Sequence, residues 1–174
     1  MSLETGQEKI HVVDENNLPL AIMASEQVHL QGLRHRGFLL LLTDAQGRLV
    51  LRRLDKSHPL HPGRWDIVGC GHIMATEAAE EAAERHLPPV AAELTGNLRH
   101  MLTLAEGAGT GNEIVDVFCA GLSSQAARLL LQDLSFMAVD QDELDALASA
   151  YPDQLSPALL TVWNANLHRP ATAS

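Results

Sequence analysis

Aromatic side chains are scarce in this chain: two tryptophans, one tyrosine and three phenylalanines among 174 residues. That is too few for the stacked-base platforms of single-strand nucleic-acid binders. The net charge of −10 also removes the broad basic face that a nucleic-acid partner needs. Cysteine is equally sparse. Cys70 and Cys119 are far apart and form no CxxC pair, which argues against a disulfide framework and makes a reducing cytoplasm the expected compartment. No apolar run approaches the roughly 18–20 residues that span a bilayer, and no signal-peptide pattern opens the chain, so no membrane partner is expected.

Hydrophobic residues make up 46% of the chain and charged residues 20%, the balance of an ordinary globular protein. The length suits a single domain over residues 1–174, with a core from about 9 to 168. The cations are unevenly placed. Arg34, Arg36, Arg48, Arg52, Arg53, Lys56 and Arg64 lie within one stretch of an otherwise acidic chain. Such a cluster suits a small anionic ligand, with surface solubility as the plainer reading.

Local chemistry sets the expected elements. "KIHVVDENNLPLAIM" reads as a hairpin around a polar turn, and Ser25 can cap a short helix through about Leu30. "GFLLLLTDAQGRLVLRRL" reads as a second hairpin, with Asp44 and Gly47 at the ends of a type I turn. "RWDIVG" is a strand leading into the Gly69–Gly71 loop, and Thr76 can cap a helix over Glu77–Leu87. "LRHMLTL" and "EIVDVFCAGL" read as strands joined by the glycine-rich "EGAGTGN". "SSQAARLLLQD" suits a helix and "SFMAV" a short strand. Asp140 with Glu143 gives a capping box for Asp140–Ala150, and Ser156-Pro157 starts the last helix. The mixture predicts an α/β sandwich around a mixed β-sheet.

The stretch "GCGHIMATEAAEEAAERHLPP" begins as a loop, becomes a glutamate-rich helix and is cut by two prolines. Glu77, Glu80, Glu81 and Glu84 form one helical stripe, a geometry that suits either a solvated face or a set of ligands for a hard cation. Pro88 and Pro89 remove amide donors and clash with preceding carbonyls, so the helix ends near Leu87 and restarts as a short "VAAEL" segment.

Gly71, Glu77, Arg85 and Leu87 keep the spacing of the Nudix box, and "HPGRWDIVG", "LVLRRL", "LRHRGF" and "GNEIVDVF" are similar to the strands around it. The chain resembles the Nudix superfamily, in the branch that includes isopentenyl-diphosphate isomerase. The resemblance implies a Nudix-type α/β/α sandwich, a diphosphate-containing small molecule as ligand, and a divalent metal: Mg²⁺, Mn²⁺ or Zn²⁺. It also shows a departure. The positions where the family carries its Mg²⁺-binding helix glutamates are here His86, Pro89 and Val90, which implies weakened hydrolysis.

Within the isomerase branch the resemblance implies acid–base roles for Cys70 and Glu113, and metal-ligand roles for His29, His35, His72 and Glu113. A neighbouring metal glutamate of the family falls on Gly111, the relay tyrosine near His100, and the carbocation-shielding tryptophan on Ala158. Three imidazoles and a carboxylate are chemically a sound divalent shell. Read singly, Cys70 suits a packed small residue, His35 and His72 structural roles, and His29 a surface helix. Arg52, Arg53 and Arg85 would neutralise a diphosphate or brace the loop. "HPLHP" reads as a rigid loop. Three functions stay open: a diphosphate hydrolase, an isomerase using Cys70 and Glu113, and a diphosphate-binding module without catalysis. A homodimer also stays open.

Overall fold

The computed structural model describes residues 8–107 and 110–168. The chain opens with strands β1 (Lys9–Val13) and β2 (Pro19–Ala24), paired antiparallel across a turn in which Asp14 accepts the Asn16 and Leu18 amides. Helix α1 (Ser25–Leu30) follows, then β3 (His35–Thr43) and β4 (Leu49–Arg53). Asp44 closes the β3–β4 turn, its carbonyl accepting from Gly47 N at 3.0 Å with Gly47 at φ +78°. A left-handed residue is what a turn of this kind asks of glycine.

β5 (Trp65–Ile67) and β6 (Gly69–His72) lead to helix α2 (Ala79–Glu84) and a 3₁₀ segment, Pro89–Leu94. β7 (Arg99–Leu104) and β8 (Glu113–Gly121) precede helix α3 (Ser124–Leu130), strand β9 (Phe136–Val139), helix α4 (Gln141–Ala150) and helix α5 (Pro157–Asn164). Asp140 and Glu143 make the expected capping box, and Ser156 Oγ caps α5 through Leu159 N at 3.0 Å. No helix among the described residues is long and apolar enough to cross a membrane.

All nine strands among the described residues join one mixed sheet with β3 at its centre. β6 runs antiparallel on one side of β3 and β8 parallel on the other, so the "FLLLL" run of β3 is buried on both faces. Side chains alternate. Phe38, Leu40 and Leu42 enter a core with Ala82 and Ala83 of α2 and Ala126, Ala127 and Leu130 of α3. Leu39 and Leu41 enter a second core with Leu144 and Ala148 of α4 and Leu159 and Val162 of α5. Helices on both faces complete the expected α/β/α sandwich.

Three local readings differ from the structure. Helix α2 is shorter at both ends than Glu77–Leu87. At its start Glu77 turns back on Met74, whose amide its carboxylate accepts at 2.9 Å, and Ala78 is the cap residue in place of Thr76. At its end the ladder tightens into His86 N→Ala83 O and Leu87 N→Glu84 O bonds, both 3.0 Å, before the prolines. Ser25 is the first residue of α1 and Ala24 its cap. Beyond the prolines the chain restarts at Pro89 as read, and Val90 packs against the core between α2 and α3.

Candidate metal centre and cavity

Three registers place the site. Across the central strand His35 faces Glu113 of β8, Gly37 faces His72 of β6, and Leu39 faces Cys70. His35, Cys70, His72 and Glu113 therefore rise from one face of the sheet, the face of Leu39 and Leu41. Gly37 leaves the gap into which Glu113 leans: a Cβ there would lie 2.6 Å from Glu113 Oε2. His29 reaches the group from α1, whose neighbouring Val28 is fully buried with Ile10 and Val12 and fixes the helix.

The result is a four-donor cluster, His29, His35, His72 and Glu113, whose ligand atoms all lie within 4.8 Å of one another. His29 Nε2 is 2.9 Å from His72 Nε2, and His35 Nε2 is 3.2 Å from Glu113 Oε1. The outer nitrogens fix the tautomers. His35 Nδ1 donates to the Leu33 carbonyl at 2.9 Å, and His72 Nδ1 donates to Glu8 Oε2 at 3.1 Å. His72 Nε2 is thereby left with its lone pair facing the centre, the form a metal needs, whereas His35 Nε2 bonds the Glu113 carboxylate in the metal-free protein and gives up that proton before it can act as a ligand. Burial and the neighbouring rings of His72 and His35 hold His29 below its ordinary value. Burial works the same way on His35, but the Glu113 and Leu33 bonds outweigh it and raise that ring.

Beside the cluster lies a cavity of about 490 Å³, whose lining includes Phe38, Arg52, Asp66, Cys70, Glu113 and Ala158. Cys70 Sγ is 3.8 Å from Asp66 Oδ2. Burial, with Asp66 adding and Arg52 opposing, pushes the thiol up, so it stays protonated. Asp66 is 4% exposed, and its Oδ1 accepts from Ile67 N at 2.8 Å and from Ser156 Oγ. Burial raises its pKa, making it a weaker acid, against the opposing pull of Ser156 and Arg52. Arg52 sits opposite Asp66 in the β4–β5 register, and its Nε is buried without a hydrogen-bond partner among the described residues.

The other expected residues are placed differently. Arg53 donates to the Gly63 carbonyl at 3.1 Å and lies over the Trp65 ring, bracing the β4–β5 loop. Arg85 clasps Glu77 through two bonds of 2.7 and 2.8 Å. Glu81 accepts the Ala78 amide at 2.7 Å, Glu84 accepts the Gly96 amide, and Glu80 is exposed. The structure does not gather Glu77, Glu80, Glu81 and Glu84 around one point. His100 bonds Asp116 at 3.0 Å and lines a separate hollow with Arg99 and Cys119. His58 and His61 do belong to the cavity wall, on a loop tied by Asp55. Glu8 and Asp66 were not read from the sequence. Asp66 had a signal, a carboxylate inside the apolar strand "RWDIVG", whereas Glu8 had none.

No family profile matches the chain. An isopentenyl-diphosphate Delta-isomerase of Burkholderia multivorans is 36% identical over 83 residues, 47% of this chain and 46% of the relative. An uncharacterized Nudix hydrolase of Yersinia pestis is 32% identical over 78 residues, 45% of this chain and 43% of the relative. The chain thus spans less than half the length of these curated relatives. A crystal structure of a hypothetical Nudix protein from Deinococcus radiodurans superposes with a TM-score of 0.59 at 16% identity, over 82% of this chain and 90% of that one. The chain therefore has the Nudix fold, and its sequence is similar both to proteins named isopentenyl-diphosphate isomerase and to proteins named Nudix hydrolase.

Proposed function

We propose that this protein binds a small diphosphate ester with a short apolar body in the Cys70–Glu113 cavity. Its chemistry is proton transfer at that body rather than hydrolysis of the diphosphate. The observation that carries this reading is the placement of Cys70 and Glu113 on one sheet face, lining the same cavity next to the four-donor cluster. His29, His35, His72 and Glu113 would hold a divalent cation there, Mn²⁺, Zn²⁺ or Mg²⁺, since three converging imidazoles and a carboxylate suit it. When bound, such an ion supplies positive charge to the diphosphate oxygens.

The chain's own groups would do the rest. Arg52, with its unpartnered buried N–H, offers a charge-assisted bond to a phosphate oxygen. Cys70, held as a neutral thiol, can give a proton to one carbon while a Glu113 oxygen takes one from a carbon two bonds away. The double bond moves and the electron count is unchanged. Hydrolysis is disfavoured because Pro89 and Val90 replace carboxylates of the box and because Glu77, Glu81 and Glu84 are engaged by Arg85 and by backbone amides. Ala158 on the cavity wall offers no aromatic face to a developing cation, so turnover is slow.

The Burkholderia relative's name supplies the probe, isopentenyl diphosphate. In D₂O with Mn²⁺ or Mg²⁺, slow deuterium incorporation and double-bond migration are expected by NMR. Cys70→Ala should lower that rate by about 10²–10⁴ while calorimetric binding is retained. Phosphate release that Glu80→Gln abolishes would overturn the reading in favour of hydrolysis.

A further inference from the structure

We infer that Glu8 is a positioning residue for the metal centre: its carboxylate holds the Nδ1–H of His72 and so presents His72 Nε2 to the cation. The inference rests on the reading of His29, His35, His72 and Glu113 as a divalent-cation site. Glu8 Oε2 lies 3.1 Å from His72 Nδ1, with the two side chains 33% and 20% exposed. The pair is not a chance surface contact, because the backbone on both sides of it is tied. The Glu8 carbonyl accepts Ser25 N at 2.8 Å, the next carbonyl, of Lys9, accepts Ala75 N at 2.8 Å, and Ile10 bridges Met74. The segment after His72 therefore runs antiparallel along β1, and from that tied strand the Glu8 side chain reaches the His72 ring.

The chemistry gives the bond a purpose. An imidazole carries one proton when neutral, and a ring free to choose would often place it on Nε2, where it blocks coordination. A carboxylate on Nδ1 fixes the useful tautomer, aims the ring and makes Nε2 more basic. His35 is held the same way by the Leu33 backbone carbonyl, which no side-chain substitution removes. For His72 the holding group is a side chain, so the device can be cut by mutation without touching a ligand.

The experiment compares wild type, Glu8→Gln and Glu8→Ala by chelator-competition titration with Zn²⁺ and with Co²⁺. Imidazole ¹⁵N NMR of the metal-free proteins runs alongside. Glu8→Ala is expected to weaken both ions about 10- to 100-fold. Glu8→Gln, whose amide oxygen still accepts the N–H, should fall between. The His72 signals should move from a single Nδ1–H tautomer in wild type to a mixture in Glu8→Ala, a change that mere loss of stability would not produce. Equal affinity in wild type and Glu8→Ala would overturn the inference and leave the cation site standing. No binding by wild type, or binding unchanged in His29→Ala and His72→Ala, would instead overturn the site and this inference with it. Should Glu8→Ala not fold, Glu8→Gln carries both measurements.

Discussion

At position 37 a Cβ would lie 2.6 Å from Glu113 Oε2 and 3.3 Å from the Gly71 carbonyl oxygen. Glu113 must then swing away from His35, or β6 must separate from β3. Gly37→Ala is therefore expected to lower stability by about 1–3 kcal/mol, the usual cost of overpacking. Cation affinity should fall by about tenfold or more, because a misdirected ligand costs what a lost supporting bond does. Denaturant unfolding and a metal titration on the same sample check both, and unchanged affinity would show that Glu113 is no ligand. Asp66 is the second residue with a separable effect. Burial raises its folded-state value above that of the unfolded chain, so the folded protein holds this proton more tightly. Its contribution to stability is fully present below the ordinary aspartate range and is lost as pH rises through the raised value. Asp66→Asn keeps an acceptor for Ser156 Oγ and carries no charge. The stability of wild type relative to Asp66→Asn should thus decline over the range that starts at ordinary aspartate values and runs upward. Urea midpoints across that range test it, and a difference that does not vary with pH would contradict the raised value.

Among the elements, the C-terminal cap of helix α2 and strand β4 carry arginines of different use. Arg85 closes on Glu77 beside a solvent-facing helix, whereas Arg52 lines the cavity and keeps its Nε buried without a hydrogen-bond partner among the described residues. Arg85→Ala should cost about 1 kcal/mol of stability and leave the dissociation constant for isopentenyl diphosphate unchanged. Arg52→Ala should weaken that constant about 10- to 100-fold, the worth of one charged hydrogen bond. Calorimetry on the two variants separates brace from ligand, and equal losses would undo the assignment. The same elements show what the sequence made legible. The β1–β2 and β3–β4 turns, the Asp140 and Ser156 caps and the halt before Pro88 rest on local chemistry, so a single stretch was enough to read them. His35, Cys70, His72 and Glu113 were legible through their likeness to a known pattern, and register then brought them together. Glu8 and Asp66 were harder because their roles come from partners far along the chain: Glu8 needs the strand–segment pairing that delivers His72, and Asp66 needs the register that sets Arg52 opposite. The start of α2 was misread for a related reason. Glu77 prefers a local bond to Met74 N and a clasp on Arg85 over a place in the first helical turn.

On the scale of the whole molecule, β3 divides the labour. One face builds a core with α2 and α3, while the other carries the second core and, at its N-terminal end, the donor cluster. The four donors come from α1, β3, β6 and β8, segments scattered over much of the chain, so a bound cation would cross-link the N-terminal helix to the centre of the sheet. Anything that binds only the folded state stabilises it by mass action, about 2.7 kcal/mol at a hundredfold excess over the dissociation constant. For a chain of this size that corresponds to a rise in Tm of roughly 5–10 °C. Adding Zn²⁺ or Mn²⁺ should produce this shift in a thermal melt, and a chelator should reverse it. His29 is exposed, so His29→Ala should leave the metal-free Tm close to wild type and remove most of the cation-induced rise. The acidic face of α2 is the competing location, and Glu80→Gln tests it, because Glu80 lies exposed on that helix. A rise lost in Glu80→Gln and kept in His29→Ala would move the cation to the helix, and with it the chemistry from proton transfer toward hydrolysis. A rise lost in His29→Ala and kept in Glu80→Gln would fix it at the sheet, where Cys70 and Glu113, the pair proposed for proton transfer, line the adjoining cavity.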